Sequence, residues 1–335
     1  GVMEQNGVLT LAGAGSINII LNGKPTSMNY EQLVTLLKGM PASRVERAEV
    51  MYNTPPQYHV RGAAINVILK GYKPGEGGLQ GEINGNYVQA NKAGEEGGVT
   101  FAYLSPKLDI DFMYNLNNHY NRQGYKLITR HTLNDEIHNI SQSTNGENRQ
   151  LVHTFRLGGN YKFNEQSQLG LSYTSSLNPD KQQSVTSSDN HSTTFNHAPA
   201  EEQMHNVALN YTSGFGLTGG IDYTYFRNKE EQSFRSIENN GQETTFLSNT
   251  AQYINRWKVY VDQNHTLSNA WVLNYGTSFA YVNNHNSQRY NLAAMSGMNK
   301  ESRVDEYTYN LYTGFEKNFG SQWSLNASAS IEYYQ

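Results

Sequence analysis

Three groups of residues in this chain are of types that could do chemistry. His191 and His197 flank the loop-like stretch "HSTTFNH", and His131 and His138 sit in another polar stretch. Imidazoles at these spacings could capture a metal ion or a haem. However, no cysteine or carboxylate stands at a spacing that completes a ligand set, so they are expected to be solvated loop histidines with no metal. The glycine-rich pieces "GAGS" (13–16) and "GEGG" (75–78) lack the following Lys-Ser/Thr of a phosphate loop. No Ser/His/Asp set can be assembled from spacing, so no catalytic residue and no cofactor site is nominated and the chain is read as a non-enzyme. The third group is ionic. Arg256, Lys258 and Asp262 share one face of "RWKVYVD", and Asp109 and Asp111 alternate with Leu108, Ile110 and Phe112 in "KLDIDFMYNL".

Carboxylates inside otherwise apolar strands require a sheet with one dry face and one wet face. From Leu79 onward that period-two pattern recurs. "LGLSYTS", "VALNY", "WVLNYGTSFAY", "YTYNLYTGF" and "WSLNASASIEY" each alternate apolar or aromatic residues with Asn, Ser, Thr, Gly, Asp or Lys. About eleven such segments are expected, most of them about 10 residues long, which is the length a tilted strand needs to cross a bilayer. Short turns at 105–107, 164–167, 213–216, 268–269 and 320–322 alternate with polar stretches at 89–96, 118–150, 178–203, 229–250 and 283–303. Short turns on one side and long loops on the other are the pattern of an outer-membrane barrel. On this reading the apolar set faces outer-membrane lipid and Asp109, Asp111, Asp222, Arg256, Lys258 and Asp262 face a lumen. Trp257, Trp271 and Trp323 are expected at the membrane interface. A soluble β-sandwich predicts shorter strands and no systematic loop asymmetry.

Composition agrees. The chain has 335 residues, 24 Tyr and 30 Gly against 8 Pro, which favours strands and tight turns. With no cysteine there is neither a disulfide nor a thiolate metal site. Residues 1–78 carry seven Lys/Arg and five Asp/Glu, and the remainder 18 and 24, so a +2 segment precedes a -6 segment. Neither has the basic footprint of a nucleic-acid binder. No signal peptide is visible at the start, so a cytoplasmic chain or a missing true N-terminus are the alternatives at this point.

The first seventy residues read differently. "SINIILNG" is an apolar strand closing on an Asn22-Gly23 turn, and Asn29 with Gln32 can cap a helix carrying Leu33, Leu36, Leu37 and Met40. "RVERAEVMY" is expected to pass from a short helical segment into a strand. "AAINVILK" is expected to be a strand buried on both faces. This gives a small α/β domain at 1–72, a linker at 73–78, and the strand series at 79–335.

The stretch from Ile20 to Gly71, "ILNGKPTSMNYEQLVTLLKGMPASRVERAEVMYNTPPQYHVRGAAINVILKG", resembles the plug domain of TonB-dependent outer-membrane receptors in the form common in Bacteroidota. The matching pieces are Leu21-Asn22-Gly23-Lys24-Pro25, the helix ending in Met40-Pro41, "VERAEV" and "GAAINVILK". The resemblance implies a plug inside a barrel of 22 strands and energised uptake of a nutrient ligand across the outer membrane of a Gram-negative bacterium. It also implies partnership with the inner-membrane energy-coupling protein TonB, through a segment expected to be absent here, and with a surface-exposed substrate-binding lipoprotein. About 22 strands need on the order of 600 residues, so the chain is expected to be an internal fragment: mainly β, part of a small α/β plug followed by about 11 of the 22 meander strands of an antiparallel transmembrane β-barrel. An outer-membrane binding or adhesion protein using the barrel as a loop platform is the alternative. The seven residues Tyr72–Gly78 span at most roughly 25 Å, which keeps the small domain near the first barrel strand. Arg44, Arg47 and Arg61 are then the candidates to meet Asp109, Asp111 and Asp222 where plug and barrel touch.

Overall fold

The computed structural model describes residues 2–5, 8–11, 17–25, 42, 45–60, 62–70, 77–89, 92–133, 136–319 and 323–335. The expected helix at 29–40, the linker 73–76, Arg44, Arg61 and the turn at 320–322 lie outside them.

Among the described residues there are three sheets. β1 (Val2–Gln5) and β2 (Val8–Leu11) form an antiparallel pair. The second sheet has the order β4-β3-β6-β5, with β3 (Ile17–Leu21) parallel to β6 (Ala63–Leu69) and flanked by β4 (Lys24–Pro25) and β5 (Val45–Met51). Asn22 and Gly23 both adopt positive φ, 52° and 77°, the conformation that a two-residue hairpin requires. β6 is the centre of this sheet, and five of its seven residues are buried. Asn66 within it is 1% exposed. Both ends of its amide are engaged: Oδ1 accepts from Gly23 N (2.9 Å) and Nδ2 donates to Glu49 Oε2 (2.9 Å), which ties the hairpin to β5. Where a short helical segment was expected at the start of "VERAEV", β5 is strand from Val45 onward. Pairing with β6 supplies its backbone hydrogen bonds and overrides local helix propensity.

The third sheet holds the remaining eleven strands in sequence order, every neighbour antiparallel. They are β7 (Gly78–Gln89), β8 (Ala93–Leu104), β9 (Leu108–Leu133), β10 (Glu136–Lys162), β11 (Gln168–Ser188), β12 (Ser192–Thr212), β13 (Leu217–Glu238), β14 (Glu243–Thr266), β15 (Trp271–Tyr290), β16 (Lys300–Phe319) and β17 (Trp323–Tyr334). β7 and β17 are its two edges and do not pair with each other. The strand count agrees with the sequence expectation; the lengths do not. β9 to β16 run 20–27 residues, so most of the stretches read as long loops are continuations of the strands. Their register runs unbroken past the apolar segments, as in Tyr125↔Thr144 and Gln232↔Ser248. Cross-strand pairing continues where the amphipathic contrast has ended. One irregularity falls at Pro179, where the register of β11 shifts between Asn178 and Lys181. A proline cannot donate to the ladder, so a bulge absorbs it.

Alternation sorts the side chains by face. The row Tyr223↔Trp257↔Tyr281↔Tyr307 lies on one face, and the adjoining row Asp222↔Lys258↔Ala280↔Thr308 on the other. The first face is apolar and bare: Leu171, Ile221 and Leu325 are 56%, 45% and 47% exposed. The second is the inner face, because the N-terminal strands pack there. Met113 of β9, 3% exposed, completes a core with Ile19, Leu21, Ile65 and Val67.

Candidate functional site: the contact between the N-terminal loop and the inner face

Between β5 and β6 the chain makes a closed loop. Thr54 ties its ends, donating to Gly62 O from both N (2.9 Å) and Oγ1 (2.7 Å). Pro55 and Pro56 fix φ and start a single 3₁₀ turn over Pro56–Tyr58. That turn ends at His59, held at φ 53°, ψ 31° with its N–H donating to Pro56 O (2.8 Å). Histidine pays about 1–2 kcal/mol for a left-handed conformation, so its side-chain contacts must offset that cost.

They are formed with the inner face of β14–β16. His59 Nε2 lies 3.0 Å from Asp262 Oδ2, and the two side chains are 4% and 7% exposed. Because the carboxylate can only accept, Nε2 carries the proton. The second carboxylate oxygen accepts from the Tyr312 hydroxyl at 2.8 Å. Tyr260 and Tyr312 flank the imidazole, with ring centroids 5.0 and 5.9 Å away. Lys258 Nζ donates to His59 O (3.4 Å), and Gln57 Nε2 donates to Glu316 Oε1 (3.4 Å). A buried, hydrogen-bonded His–carboxylate contact is a strong and directional join. The His59 Nδ1 is buried without a partner, which makes the join intolerant of small displacements.

Two cavities border the loop. One, of about 1160 Å³, lies between residues 53–60 with Gly62 and the inner face of β14–β17, with Arg256, Lys258, Thr308 and Glu332 in its walls. The other, of about 470 Å³, lies towards β9–β13 and holds Asp109, Asp111, Asp222 and Asp262.

The residues nominated from sequence fall as follows. Arg256, Lys258 and Asp262 are on the inner face, and Lys258 and Asp262 touch the loop. Asp109 pairs with Lys162 (2.8 Å) and Asp111 with Arg156 (3.0 Å), both on β10. Asp222 accepts from Asn206 (2.7 Å). Arg47 pairs with Glu49 two positions along its own strand (2.8 Å). That hydrogen bond, together with the one from Asn66, holds the half-buried Glu49 carboxyl below its ordinary range. Of the histidines, His197 shares a hydrogen bond with Ser184 (2.8 Å), the His191 backbone N–H donates to Asp189 Oδ1 (2.8 Å), and His131 is exposed.

Sequence reasoning missed His59, Tyr260, Tyr312 and, most informatively, Gly276. Gly276 lies in register with both Asp262 and Tyr312. A Cβ there would stand 2.1 Å from Asp262 Oδ1 and 2.8 Å from a Tyr312 ring carbon. Gly220 does the same for Tyr260, whose ring would meet a Cβ at 2.7 Å. Glycines opposite bulky inner-face side chains let those side chains lie over the sheet. Gly276→Val should therefore displace Asp262 and Tyr312 and cost about 1–3 kcal/mol, read as a lowered unfolding midpoint. Gly297→Val, where the added carbon meets nothing within 4 Å, should leave that midpoint within the error.

No protein-family model matches the chain, and no curated protein matches it. Among solved structures it is similar to the unliganded ferric citrate transporter FecA, with 10% identity and a TM-score of 0.44 over 93% of this chain and 53% of that one. It is also similar to the ferric yersiniabactin uptake receptor FyuA from Yersinia pestis (10%, 0.47, 98% and 66%) and the siderophore receptor PiuA from Acinetobacter baumannii (11%, 0.41, 90% and 55%). The chain spans about half the length of FecA and PiuA.

Proposed function

We propose that this chain is the plug-and-barrel part of a TonB-dependent outer-membrane receptor that takes up a nutrient ligand, with residues 1–72 as the plug, 73–78 as the linker and 79–335 as barrel wall. The observation that carries this reading is the His59–Asp262–Tyr312 join: a separate N-terminal sheet keyed by a buried polar contact into the wet face of a sheet whose other face is apolar and bare. An apolar outer face of this extent favours lipid as its neighbour, and the resemblance of residues 20–71 to plug domains supports the rest. The location is then the outer membrane of a Gram-negative bacterium. TonB supplies the energy that moves the plug, and a surface lipoprotein is a further partner in handing over ligand. Arg44, Arg47 and Arg61 add, in this proposal, a longer-range attraction to Asp109, Asp111 and Asp222 that needs no direct pair. An adhesion platform has no use for a domain docked in the conduit, so the receptor reading is preferred.

The absence of cysteine from the sequence makes the faces testable one residue at a time. In outer-membrane vesicles, Thr308→Cys and Ser328→Cys should react with a water-soluble maleimide. Ile221→Cys and Leu171→Cys should be shielded from it until detergent is added. Equal labelling of the two sets would place the apolar face in water and end the membrane reading.

A further inference from the structure

The inner face continues well past the docked loop. Asp262 and Phe246 both stand on that face of β14, and the strand between them runs roughly 50 Å. Beyond Arg256 the register of β13, β14 and β15 is unbroken, so alternation fixes which side chains share the face. Asn228↔Gln252↔Asn286 form one cross-strand row of three amides. Farther along, Phe234 stacks on Phe246 with ring centroids 4.8 Å apart, and Tyr290 meets Phe246 edge-on at 5.9 Å. Between the amide row and the rings, Gln288 Nε2 donates to the Tyr290 hydroxyl (2.9 Å) and Gln232 Nε2 donates to Asn196 Oδ1 (2.9 Å). From the level of Arg256 to these rings, Glu230 is the only charged residue at an inner-face position of the three strands. Two polar atoms of the same wall, Asn228 Oδ1 and Ser248 Oγ, are buried with no partner among the described residues. Buried polar atoms are ordinarily satisfied, so the wall keeps hydrogen-bonding capacity for a solute.

The chemistry of these rows selects a class of ligand. An anion meets no cation on them. An extended peptide finds no free backbone to pair with, because β13, β14 and β15 are each bonded to a strand on both sides. A sugar ring, by contrast, has an apolar C–H face that stacks on an aromatic ring. Its hydroxyls each donate and accept, and a side-chain amide answers with a donor and an acceptor on neighbouring atoms. The amide row and the Phe234–Phe246 pair lie roughly 20 Å apart along β14, farther than a single sugar ring reaches.

We infer that this wall is a binding surface for a neutral oligosaccharide. The rings of Phe234, Phe246 and Tyr290 take one sugar by stacking, and the amides of Asn228, Gln252 and Asn286 meet the hydroxyls of another along the same ligand. The inference rests on the uptake reading only in taking that oligosaccharide to be the nutrient; the surface itself does not depend on the gate.

Saturation-transfer-difference NMR titration of the complete protein tests it, in lauryldimethylamine oxide, a detergent whose head group carries no sugar. The probes are maltohexaose, cellohexaose and mannohexaose, with glucose, citrate and a Gly-Ser hexapeptide as comparators. At least one hexasaccharide should bind, glucose should bind 10-fold or more weakly (~1.4 kcal/mol), and citrate and the peptide should give no signal. Phe246→Leu keeps an apolar side chain but removes the ring, and should weaken the best hexasaccharide about 3- to 10-fold. Phe246→Tyr keeps the ring and should retain binding. Asn286→Leu, which removes one amide, should weaken binding over the same range, about 3- to 10-fold. Unfolding midpoints matching the parent protein separate these losses from a loss of fold. Failure of all three hexasaccharides to bind, or unchanged binding by Phe246→Leu or Asn286→Leu, would overturn the surface. Citrate or the peptide binding as tightly as the best hexasaccharide would overturn the carbohydrate assignment, and glucose doing so would overturn the extended site. Because the titration reads the protein at rest, a protein that binds an oligosaccharide yet conducts when intact would refute the gate alone.

Discussion

Asp262→Leu should free the loop Thr54–Gly62 from the large sheet. The substitution leaves His59 facing an apolar side chain with both ring nitrogens unpaired, and it strips the Tyr312 hydroxyl of its acceptor. Leaving the buried His59 N–H and the Tyr312 hydroxyl without an acceptor costs about 1–3 kcal/mol each. The left-handed His59 backbone then has nothing to offset its strain. Hydrogen exchange is the direct readout, since the Thr54, Tyr58 and His59 amides are all bonded within the loop. Their protection should fall by about 100-fold or more, while the ladder amides of β13–β14 keep theirs. His59→Ala should produce a loss of the same order, and the double variant little more than either alone, because both remove one contact. Unchanged exchange in Asp262→Leu would mean that the loop is held by other contacts.

The strand series was legible in the sequence because its faces differ in chemistry. "LGLSYTS" announces one dry and one wet face, and the tight turns at 105–107 and 213–216 appear where Ser, Pro and Gly punctuate the pattern. Gly216 is one such case, at φ 89° with a neighbouring carbonyl where a Cβ would sit. The upper halves of the same strands were read as loops. From Asn117 to His131 and from Gln182 to Ser188 both faces are largely polar, so period two has no contrast to carry it, and only the pairing in space reveals the strand.

The site was half legible. Asp262 and Lys258 could be nominated from alternation, but the partner of Asp262 lies 203 residues away in a proline-rich loop, where a histidine looks like any solvated one. The charge balance of +2 against -6 pointed to the aspartates of β9 and β13. Cross-strand neighbours reach those first: Lys162 and Arg156 come from the adjacent strand at hydrogen-bonding distance. A count of charges per segment holds no information about such local neutralisation. Gly276 carried the strongest hint, a glycine within the aromatic run "WVLNYGTSFAY". Its meaning depends on the register that sets it between Asp262 and Tyr312.

The central claim is that the N-terminal domain closes a conduit, and planar-bilayer conductance of the complete protein tests it most directly. The intact protein should be silent, since the small domain touches the inner face at Met113 on one flank and at Asp262 and Glu316 on the other. Removal of residues 1–72 takes away β1–β6 and the docked loop while leaving the ladder from β7 to β17 intact. It should open a steady, large conductance, and Asp262→Leu should give brief openings between the two extremes. An intact protein that conducts like a porin, or a deletion that stays closed, would contradict the account.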